Sequence, residues 1–400
     1  MRLVLLFLVV INFSGCSAVQ TAKDSAHRFA YGLVGGKDNA TPPKKLTDYE
    51  AAVEIDVLWE RQIGDGYEGL GLRVAPVVSD ELIFSAGSQG TVEAISLKSG
   101  AVIWTRETEF PISAGIAKGR RHLFFGTSNA QVIALNSSNG ITAWVAQVTS
   151  EVLASPVVGE GIVIVRTIDG KVIALDELSG KQQWIFERSV PALSIRGNGI
   201  PVIDAGRVFI GFADGRMIAL DLHSGKNLWK ASLAVPSGRT QIERLVDLDT
   251  DPVIINDVIY IASYQGGMSA VLAMDGDIIW SNEDVSSYSA ISHDWRYLYV
   301  SDSESNIWQL DQRSGGTLWK QTDFHMRRLT APAVYKDYVV VGDYDGYVHW
   351  LSSDDGHQLG RIQATGEAIL AMPVIQDDIV YIYGSGGSLV ALKAYPSREN

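Results

Sequence analysis

The stretch from Val172 to Trp184, which reads VIALDELSGKQQW, carries the pattern that decides the fold. An apolar run is followed by an aspartate, a short polar turn ending in Gly180, and a tryptophan four residues later. The same order returns from Met217 to Trp229, which reads MIALDLHSGKNLW. Two β-strands joined by a tight turn account for the pattern, because glycine readily adopts the positive φ that such a turn needs.

The ending Gly-x-x-x-Trp recurs along most of the chain. The pairs are Gly100 and Trp104, Gly140 and Trp144, Gly180 and Trp184, Gly225 and Trp229, Gly276 and Trp280, and Gly315 and Trp319. Counting Trp59, which has no copy before it, the tryptophans lie 45, 40, 40, 45, 51 and 39 residues apart. A seventh copy has Gly360 where the tryptophan is expected, and an eighth ends at Leu392 without one. Trp59 therefore supplies the piece that the eighth copy lacks.

Eight copies of this unit predict a ring. A period of about 40 to 45 residues with three or four short strands is typical of one propeller blade, whose two faces must be covered by neighbouring blades. We therefore predict an all-β chain folded as a single eight-bladed β-propeller over residues 51–400. The N-terminal strand joins the last blade and so removes the open sheet edge. The seven tryptophans are expected to wedge between blades; the alternative is that they are scattered core aromatics.

Composition limits the function. The chain has 400 residues, a formal net charge of −13, 46% hydrophobic residues and a single cysteine. This argues against a disordered chain and against a disulfide-stapled domain. The negative charge also argues against nucleic acid as a partner, because phosphate binding depends on clustered Lys and Arg.

The N-terminus has the pattern of a secretion signal. Met1-Arg2 precedes an apolar run from Leu3 to Phe13, which is too short to span a membrane but suits a signal peptide. Cys16 follows in Phe13-Ser14-Gly15-Cys16, which resembles a bacterial lipobox with Phe where Leu is preferred. We expect a lipoprotein signal at 1–15, lipidation of Cys16, and a flexible tether over 16–50. The resemblance to sorted lipoproteins, with Ser17 after the cysteine, implies the outer membrane. The alternative is an ordinary secretory signal with an incidental cysteine.

The repeat resembles the PQQ-type propeller motif, Ala-x-Asp-x-x-x-Gly-x-x-x-Trp, over roughly residues 51–395. Ala174, Asp176, Gly180 and Trp184 match it, as do Ala219, Asp221, Gly225 and Trp229. Quinoprotein dehydrogenases of this repeat family need PQQ, Ca²⁺ and a catalytic aspartate, and their alcohol-oxidising members carry a vicinal disulfide in much longer chains. One cysteine and a ring that uses nearly all residues depart from that pattern. We therefore expect no enzyme activity, no catalytic residues and no cofactor; a quinoprotein-like enzyme is the alternative.

Other motifs do not make a site. The sequence Gly64-Asp65-Gly66-Tyr67-Glu68-Gly69 has glycine spacing of a dinucleotide loop, but no helical pattern follows it. Asp247, Asp249 and Asp251 begin like a calcium loop, yet Pro252 stands where glycine is required and Val258 where glutamate is required. We expect no metal site there or at the histidines, although a weak cation site between the aspartates stays open.

Two long connections are the candidate functional site. One follows Trp184 and offers Leu193, Ile195 and Arg196; the other follows Trp229 and offers Glu243, Arg244, Asp247 and Asp249 around Leu245 and Leu248. Because they follow consecutive tryptophans, they belong to adjacent blades and could form one exposed apolar and charged patch, as interface anchors do. The alternative is a salt bridge from Arg196 to Asp247 or Asp249 that orders the two loops.

At these connections the chain resembles the propeller lipoproteins of the β-barrel assembly machinery in the Gram-negative outer membrane. The segments Leu193-Ser194-Ile195-Arg196-Gly197 and Ile242 to Pro252 carry the likeness. The resemblance implies a non-enzymatic scaffold that binds a periplasmic POTRA domain of the BamA insertase. Leu193, Ile195 and Arg196 would anchor on it, and Asp247 and Asp249 would pair with basic groups there or hold the Arg196 loop. Other assembly lipoproteins and nascent outer-membrane proteins are the further partners implied; a glycan-binding envelope lipoprotein is the alternative.

Overall fold

The computed structural model describes residues 41–67, 70, 72–188, 199–235, 246–248 and 250–397. The chain divides into two units, Met1–Pro42 and Pro43–Asn400. Only residues 41 and 42 of the first unit are described, and both are exposed. The second unit holds the strands.

Within the described residues there are thirty-two strands and no helix, and the strands form eight four-stranded antiparallel sheets. The strands of blades 1 to 4 are β2 Val77–Ser79, β3 Leu82–Ala86, β4 Thr91–Ser96, β5 Val102–Glu107; β6 Ala117–Lys118, β7 His122–Gly126, β8 Gln131–Asn136, β9 Thr142–Gln147; β10 Val157–Gly159, β11 Ile162–Arg166, β12 Lys171–Asp176, β13 Gln182–Glu187; and β14 Val202–Asp204, β15 Arg207–Gly211, β16 Arg216–Asp221, β17 Asn227–Ser232. Those of blades 5 to 8 are β18 Val253–Ile255, β19 Val258–Ser263, β20 Gly267–Leu272, β21 Ile278–Asn282; β22 Ser292–His293, β23 Tyr297–Ser301, β24 Ile307–Asp311, β25 Thr317–Gln321; β26 Ala333–Tyr335, β27 Tyr338–Gly342, β28 Tyr347–Ser352, β29 Gln358–Gln363; and β30 Val374–Gln376, β31 Ile379–Tyr383, β32 Ser388–Pro396 with β1 Val53–Gln62.

The eighth blade closes the ring with the two ends of the chain. β1 pairs antiparallel with β32, from Val53 opposite Pro396 to Gln62 opposite Ser388. The predicted all-β, eight-bladed architecture and its closure by the N-terminal strand are confirmed. Because β1 serves as the fourth strand of the eighth sheet, all eight sheets have four strands.

The antiparallel order gives the ring two distinct ends. The turns from strand 1 to 2 and, in blades 1 to 7, from strand 3 to 4 lie at one end, here called the turn end. The turns from strand 2 to 3 and the connections from strand 4 to the next blade lie at the other, here called the connection end. Both candidate connections belong to the connection end by their place in the chain.

Each repeat tryptophan contacts the next blade. Trp184 Nε1 donates a hydrogen bond to the Leu222 carbonyl at 2.8 Å, and a Cβ placed on Gly225 would lie 2.6 Å from the Trp184 ring. The other pairs of tryptophan and accepting carbonyl are Trp59 and Leu97, Trp104 and Ser137, Trp144 and Glu177, Trp229 and Ala273, Trp280 and Gln312, and Trp319 and Ser353. The glycine of the 3–4 turn is thus needed both for its positive φ and for the ring that lies on it.

The remaining residues of the motif have structural roles. Ala174 lies opposite Trp184 in the register of β12 and β13, so a small side chain makes room for the indole. Asp176 accepts hydrogen bonds from the backbone and hydroxyl of Ser179 within the turn, at 2.8 and 2.6 Å. These bonds lower the pKa of the Asp176 carboxyl. The aspartate therefore stabilises the turn.

Blade 7 exchanges the large and small residues of the facing alanine and tryptophan: the large residue lies on strand 3 and the small one on strand 4. Gly360 lies opposite Trp350, so the tryptophan stands on β28, at the position where blade 6 has Gln309 and the other blades have alanine. Trp350 is fully buried, and a Cβ on Gly360 would lie 2.4 Å from the Val53 side chain of β1. Blade 8 has no 3–4 turn because its fourth strand comes from the N-terminus. A tryptophan on the fourth strand of blade 7 would therefore have no turn glycine in blade 8 to pack against.

Residues 43–52, here called the strap, lie against blade 7 and the connection that leads into it. The Lys44 amide donates to the His325 carbonyl at 2.9 Å, and the Ala52 amide donates to the Leu359 carbonyl at 2.8 Å. Leu46 packs on a core cluster shared by blades 6 and 7. The strap lies mostly within the segment that the sequence analysis assigns to the tether, so part of that segment is attached to the ring.

Candidate partner-binding site

The two long connections occupy neighbouring places in the ring. The first joins β13 to β14 and the second joins β17 to β18. Leu193, Ile195 and Arg196 of the first, and Glu243, Arg244 and Asp249 of the second, lie outside the described residues, as does Cys16. Asp247 is the predicted contact residue that the structure places.

The described ends of the two connections meet. The Ile200 amide, at the end of the first, donates to Asp251 Oδ1 at 2.7 Å, near the end of the second. Arg166 of β11 donates to the Gly199 carbonyl at 3.3 Å. A charged acceptor strengthens the hydrogen bond from the Ile200 amide. This bond therefore fixes the described ends of the two connections side by side.

Asp247 faces the interior. Its side chain is 1% exposed, and its carbonyl accepts a hydrogen bond from the Tyr264 amide at 3.0 Å. Leu248 is also 1% exposed and packs in the core between blades 4 and 5, so the expectation that it belongs to an exposed patch is wrong. The burial of Asp247 favours the internal role, holding the loop in shape, over direct pairing with a partner.

A charged and aromatic frame surrounds the start of the first connection. Arg188, just after β13, forms an ion pair with Asp214 in the 2–3 turn of blade 4, and Arg216 lies 3.7 Å from the same carboxylate. The guanidinium groups of Arg188 and Arg166 lie 5.1 and 5.5 Å from the Phe212 ring centre. Cations over an aromatic face are stabilised by its negative potential. Sequence reasoning missed this frame because it joins residues of two blades.

A buried ionic cluster holds the strap at the connection end. Arg327 donates to Asp343 Oδ2 at 2.6 Å and to the Lys44 carbonyl at 3.3 Å. His349 Nε2 lies 3.0 Å from the same Asp343 oxygen, and both side chains are fully buried. Burial opposes ionisation of Asp343, but the hydrogen bonds from His349 and Arg327 and the positive charge of Arg327 outweigh it and lower the Asp343 pKa. Burial lowers the pKa of His349, which is therefore neutral at pH 7.

The described ranges contain neither a metal-binding cluster nor a membrane-spanning helix. In that part of the chain, no group of three or more His, Cys, Asp or Glu side chains is arranged to hold a metal ion. None of the residues placed by the structure forms a helix long and apolar enough to cross a membrane.

The repeats, their register and the closed ring define the class of PQQ-type eight-bladed propellers. A family model described as outer membrane protein assembly factor BamB matches residues 88–321 and 305–397. The protein of that name from Marinobacter adhaerens is 46% identical over 360 residues, covering 90% of this chain and 92% of its own. The chain belongs to the BamB family.

Solved structures agree with this placement. The crystal structure of BamB from Moraxella catarrhalis superposes with a TM-score of 0.77 and 26% identity, covering 85% of this chain and all of that one. A quinohemoprotein alcohol dehydrogenase from Comamonas testosteroni superposes with a TM-score of 0.67 over 86% of this chain and 78% of its own, at 14% identity. The second likeness shows a shared fold alone.

Proposed function

We propose that the chain is a non-enzymatic scaffold of outer-membrane protein assembly. It would bind a POTRA domain of a BamA-type insertase through the connections at 189–199 and 236–251. Membership of the BamB family, whose named members are assembly factors, carries this proposal. Further partners would be other lipoproteins of the complex and nascent outer-membrane proteins.

The described frame supports the position of the site. The Ile200–Asp251 bond holds the two connections together at their bases, and the Arg188–Asp214 pair fixes the start of the first. A rigid base lowers the entropy cost of ordering an interface loop on binding. Leu193, Ile195 and Arg196 would then anchor on the partner, with Glu243, Arg244 and Asp249 beside them and Asp247 supporting the loop from inside.

Membrane attachment completes the mechanism. After removal of residues 1–15, acyl chains on Cys16 would hold the protein at the periplasmic face of the outer membrane, since two or more chains give stable anchoring. The tether would raise the effective concentration of the ring near its partner. No covalent step is involved, and the ring acts by binding and orienting.

The test is co-purification from detergent-solubilised outer membranes. Wild type should bring down a large barrel protein with POTRA domains, and Arg196→Ala should not, because interface anchors of this kind carry much of the binding energy. Arg313→Ala, an exposed arginine of the turn end, removes the same charge and should bind as wild type. Asp249→Ala tests the second connection, and circular dichroism verifies the fold of each variant.

The outcomes separate the function from the site. If no barrel protein is recovered with wild type, the scaffold proposal is wrong. If wild type, Arg196→Ala and Asp249→Ala recover it equally, the scaffold role stands and the site is elsewhere. Detection of bound PQQ and Ca²⁺ in the purified protein would instead favour the quinoprotein alternative.

A further inference from the structure

A cavity of about 560 Å³ opens at the connection end, on the side of the ring formed by blades 1, 6, 7 and 8. Its lining residues come from connections between blades and from 2–3 turns, among them Arg73, Tyr288, Arg328, Tyr344 and Glu367. The candidate connections belong to blades 3, 4 and 5, so this cavity is a separate place. Its volume lies in the range of ligand pockets, roughly 300 to 1,000 Å³.

Two arginines of the cavity are held by tyrosines. The Arg73 guanidinium lies 4.9 Å from the Tyr288 ring centre and donates a hydrogen bond to the Tyr288 carbonyl. The Arg328 guanidinium lies 4.9 Å from the Tyr344 ring centre. Stacking on an aromatic face fixes the plane of a guanidinium while leaving its N–H groups along the edge available to a ligand.

Neither guanidinium is neutralised within the described chain. Among the residues that the structure places, no carboxylate lies within 4 Å of Arg73 or Arg328. The neighbouring Arg327, by contrast, is buried against Asp343 and Asp345. Two cations without an ion-pair partner among the described residues, in one cavity of a protein of net charge −13, indicate a place for an anion.

The backbone at Arg328 is unusual. Its φ is +53°, in the left-handed region that costs a non-glycine residue roughly 1 kcal/mol or more. Most other described non-glycine residues with positive φ lie in tight turns within a blade, where hairpin geometry requires it; Arg328 and Met326 lie in a connection between blades. The strain is maintained at the residue that presents a cation to the cavity.

The remainder of the lining selects among anions. Leu329, Leu370 and Met372 provide an apolar part, and Glu367 adds one negative charge. With two arginines and one glutamate, the lining carries a net charge of +1, which suits a monoanion better than a phosphate or a polyanion. The planar fork of arginine also matches a carboxylate.

We propose that this cavity binds an acidic side chain of an unfolded polypeptide, flanked by apolar residues, between Arg73 and Arg328. The inference rests on the proposed function only in taking polypeptide as the source of the carboxylate. It gives the ring a second contact point, lined by parts of the chain other than the candidate connections.

The test uses the full chain and the pentapeptide acetyl-Leu-Ala-Glu-Ala-Leu-amide, with binding followed by saturation-transfer NMR at low salt. The peptide with Gln in place of Glu should bind about tenfold more weakly or worse, as expected for loss of a charge-assisted hydrogen bond. Arg73→Gln and Arg328→Gln should each weaken binding of the Glu peptide by a similar factor. Arg313→Gln at the turn end is the matched control and should leave binding unchanged.

The inference would be overturned by equal binding of the Glu and Gln peptides, by wild-type binding of the folded Arg328→Gln variant, or by tighter binding of inorganic phosphate than of the Glu peptide. Tighter binding of acetyl-Leu-Ala-Leu with a free C-terminus would also overturn it in favour of a chain-end site. Co-purification of the barrel protein with Arg328→Gln keeps the two proposals apart. If the barrel protein is recovered while the peptide result fails, the cavity inference is wrong and the scaffold proposal stands.

Discussion

Two glycines of blade 4 allow the contact between blades to be measured. Gly206 lies in the 1–2 turn with φ +72°, and a Cβ there would meet nothing within 4 Å. Gly225 lies in the 3–4 turn with φ +68°, and a Cβ there would lie 2.6 Å from the Trp184 ring. Alanine at either position has nearly the same backbone strain, so the two variants differ chiefly in the clash with tryptophan.

The expected losses follow from these contacts. Gly206→Ala should lower the free energy of unfolding by about 1 kcal/mol, the cost of left-handed backbone for alanine. Gly225→Ala adds overpacking of about 1 to 3 kcal/mol. Displacement of Trp184 also weakens its 2.8 Å hydrogen bond to Leu222 by about 1 kcal/mol. The total for Gly225→Ala is therefore about 3 to 5 kcal/mol.

Urea unfolding at 25 °C, followed by tryptophan fluorescence and circular dichroism, gives both values. Coincident transitions by the two probes are required before the free energies are compared. Gly225→Ala should lower the free energy of unfolding by about 2 to 4 kcal/mol more than Gly206→Ala. Equal losses would show that the indole moves aside without cost and that the tryptophan contact does not hold neighbouring blades together.

Three further predictions concern other parts of the ring. Gly360→Trp, which restores the repeat consensus, should lower the melting temperature because a Cβ there already meets Val53 at 2.4 Å; a higher melting temperature would contradict this account of blade 7. Burial raises the pKa of Tyr381 to about 12, so its contribution to stability is complete below pH 10 and is lost as pH rises through 12. Absorbance titration at 295 nm should show one fewer late-ionising phenol in Tyr381→Phe than in wild type, and an unchanged titration would refute the assignment. Arg327→Met should cost about 3 to 5 kcal/mol by leaving Asp343 buried without its arginine, and should speed tryptic cleavage at Lys45. Lys44→Ala removes an exposed pair with Asp323, should cost under about 1 kcal/mol, and serves as its control.

The fold could be predicted from sequence because every blade repeats the same local chemistry. A glycine fixes each 3–4 turn, and a tryptophan four residues later lies on the turn of the next blade, so spacing alone counts the blades. Blade 7 shows the limit of this counting. Gly360 reads as a lost tryptophan, whereas the register places the bulk on Trp350 of the paired strand. Trp350, at the position where the repeat usually has alanine, was the feature of the sequence that could have revealed this exchange.

The site was less accessible to sequence reasoning. The two long connections stand out by length, and their adjacency follows from blade order. The burial of Asp247 does not follow from blade order, because it depends on how β18, β19 and the chain before them pack together. Nothing in the sequence indicated the cavity arginines. Arg73 and Arg328 lie more than 250 residues apart, and they line one cavity only because the closed ring brings the start of blade 1 and the connection into blade 7 together.

Closure of the ring by β1 and β32 also sets an order of events during synthesis. β1 leaves the ribosome first, yet its partner from Ser388 to Pro396 is made last. Until then β1 has an unpaired edge and blades 1 and 8 have open faces, a state prone to wrong pairing. A chain that stops before Ser388 cannot complete its last blade however well the earlier seven have formed. The edges of β1 and of the last blade are therefore covered only after residues 388–396 have been made.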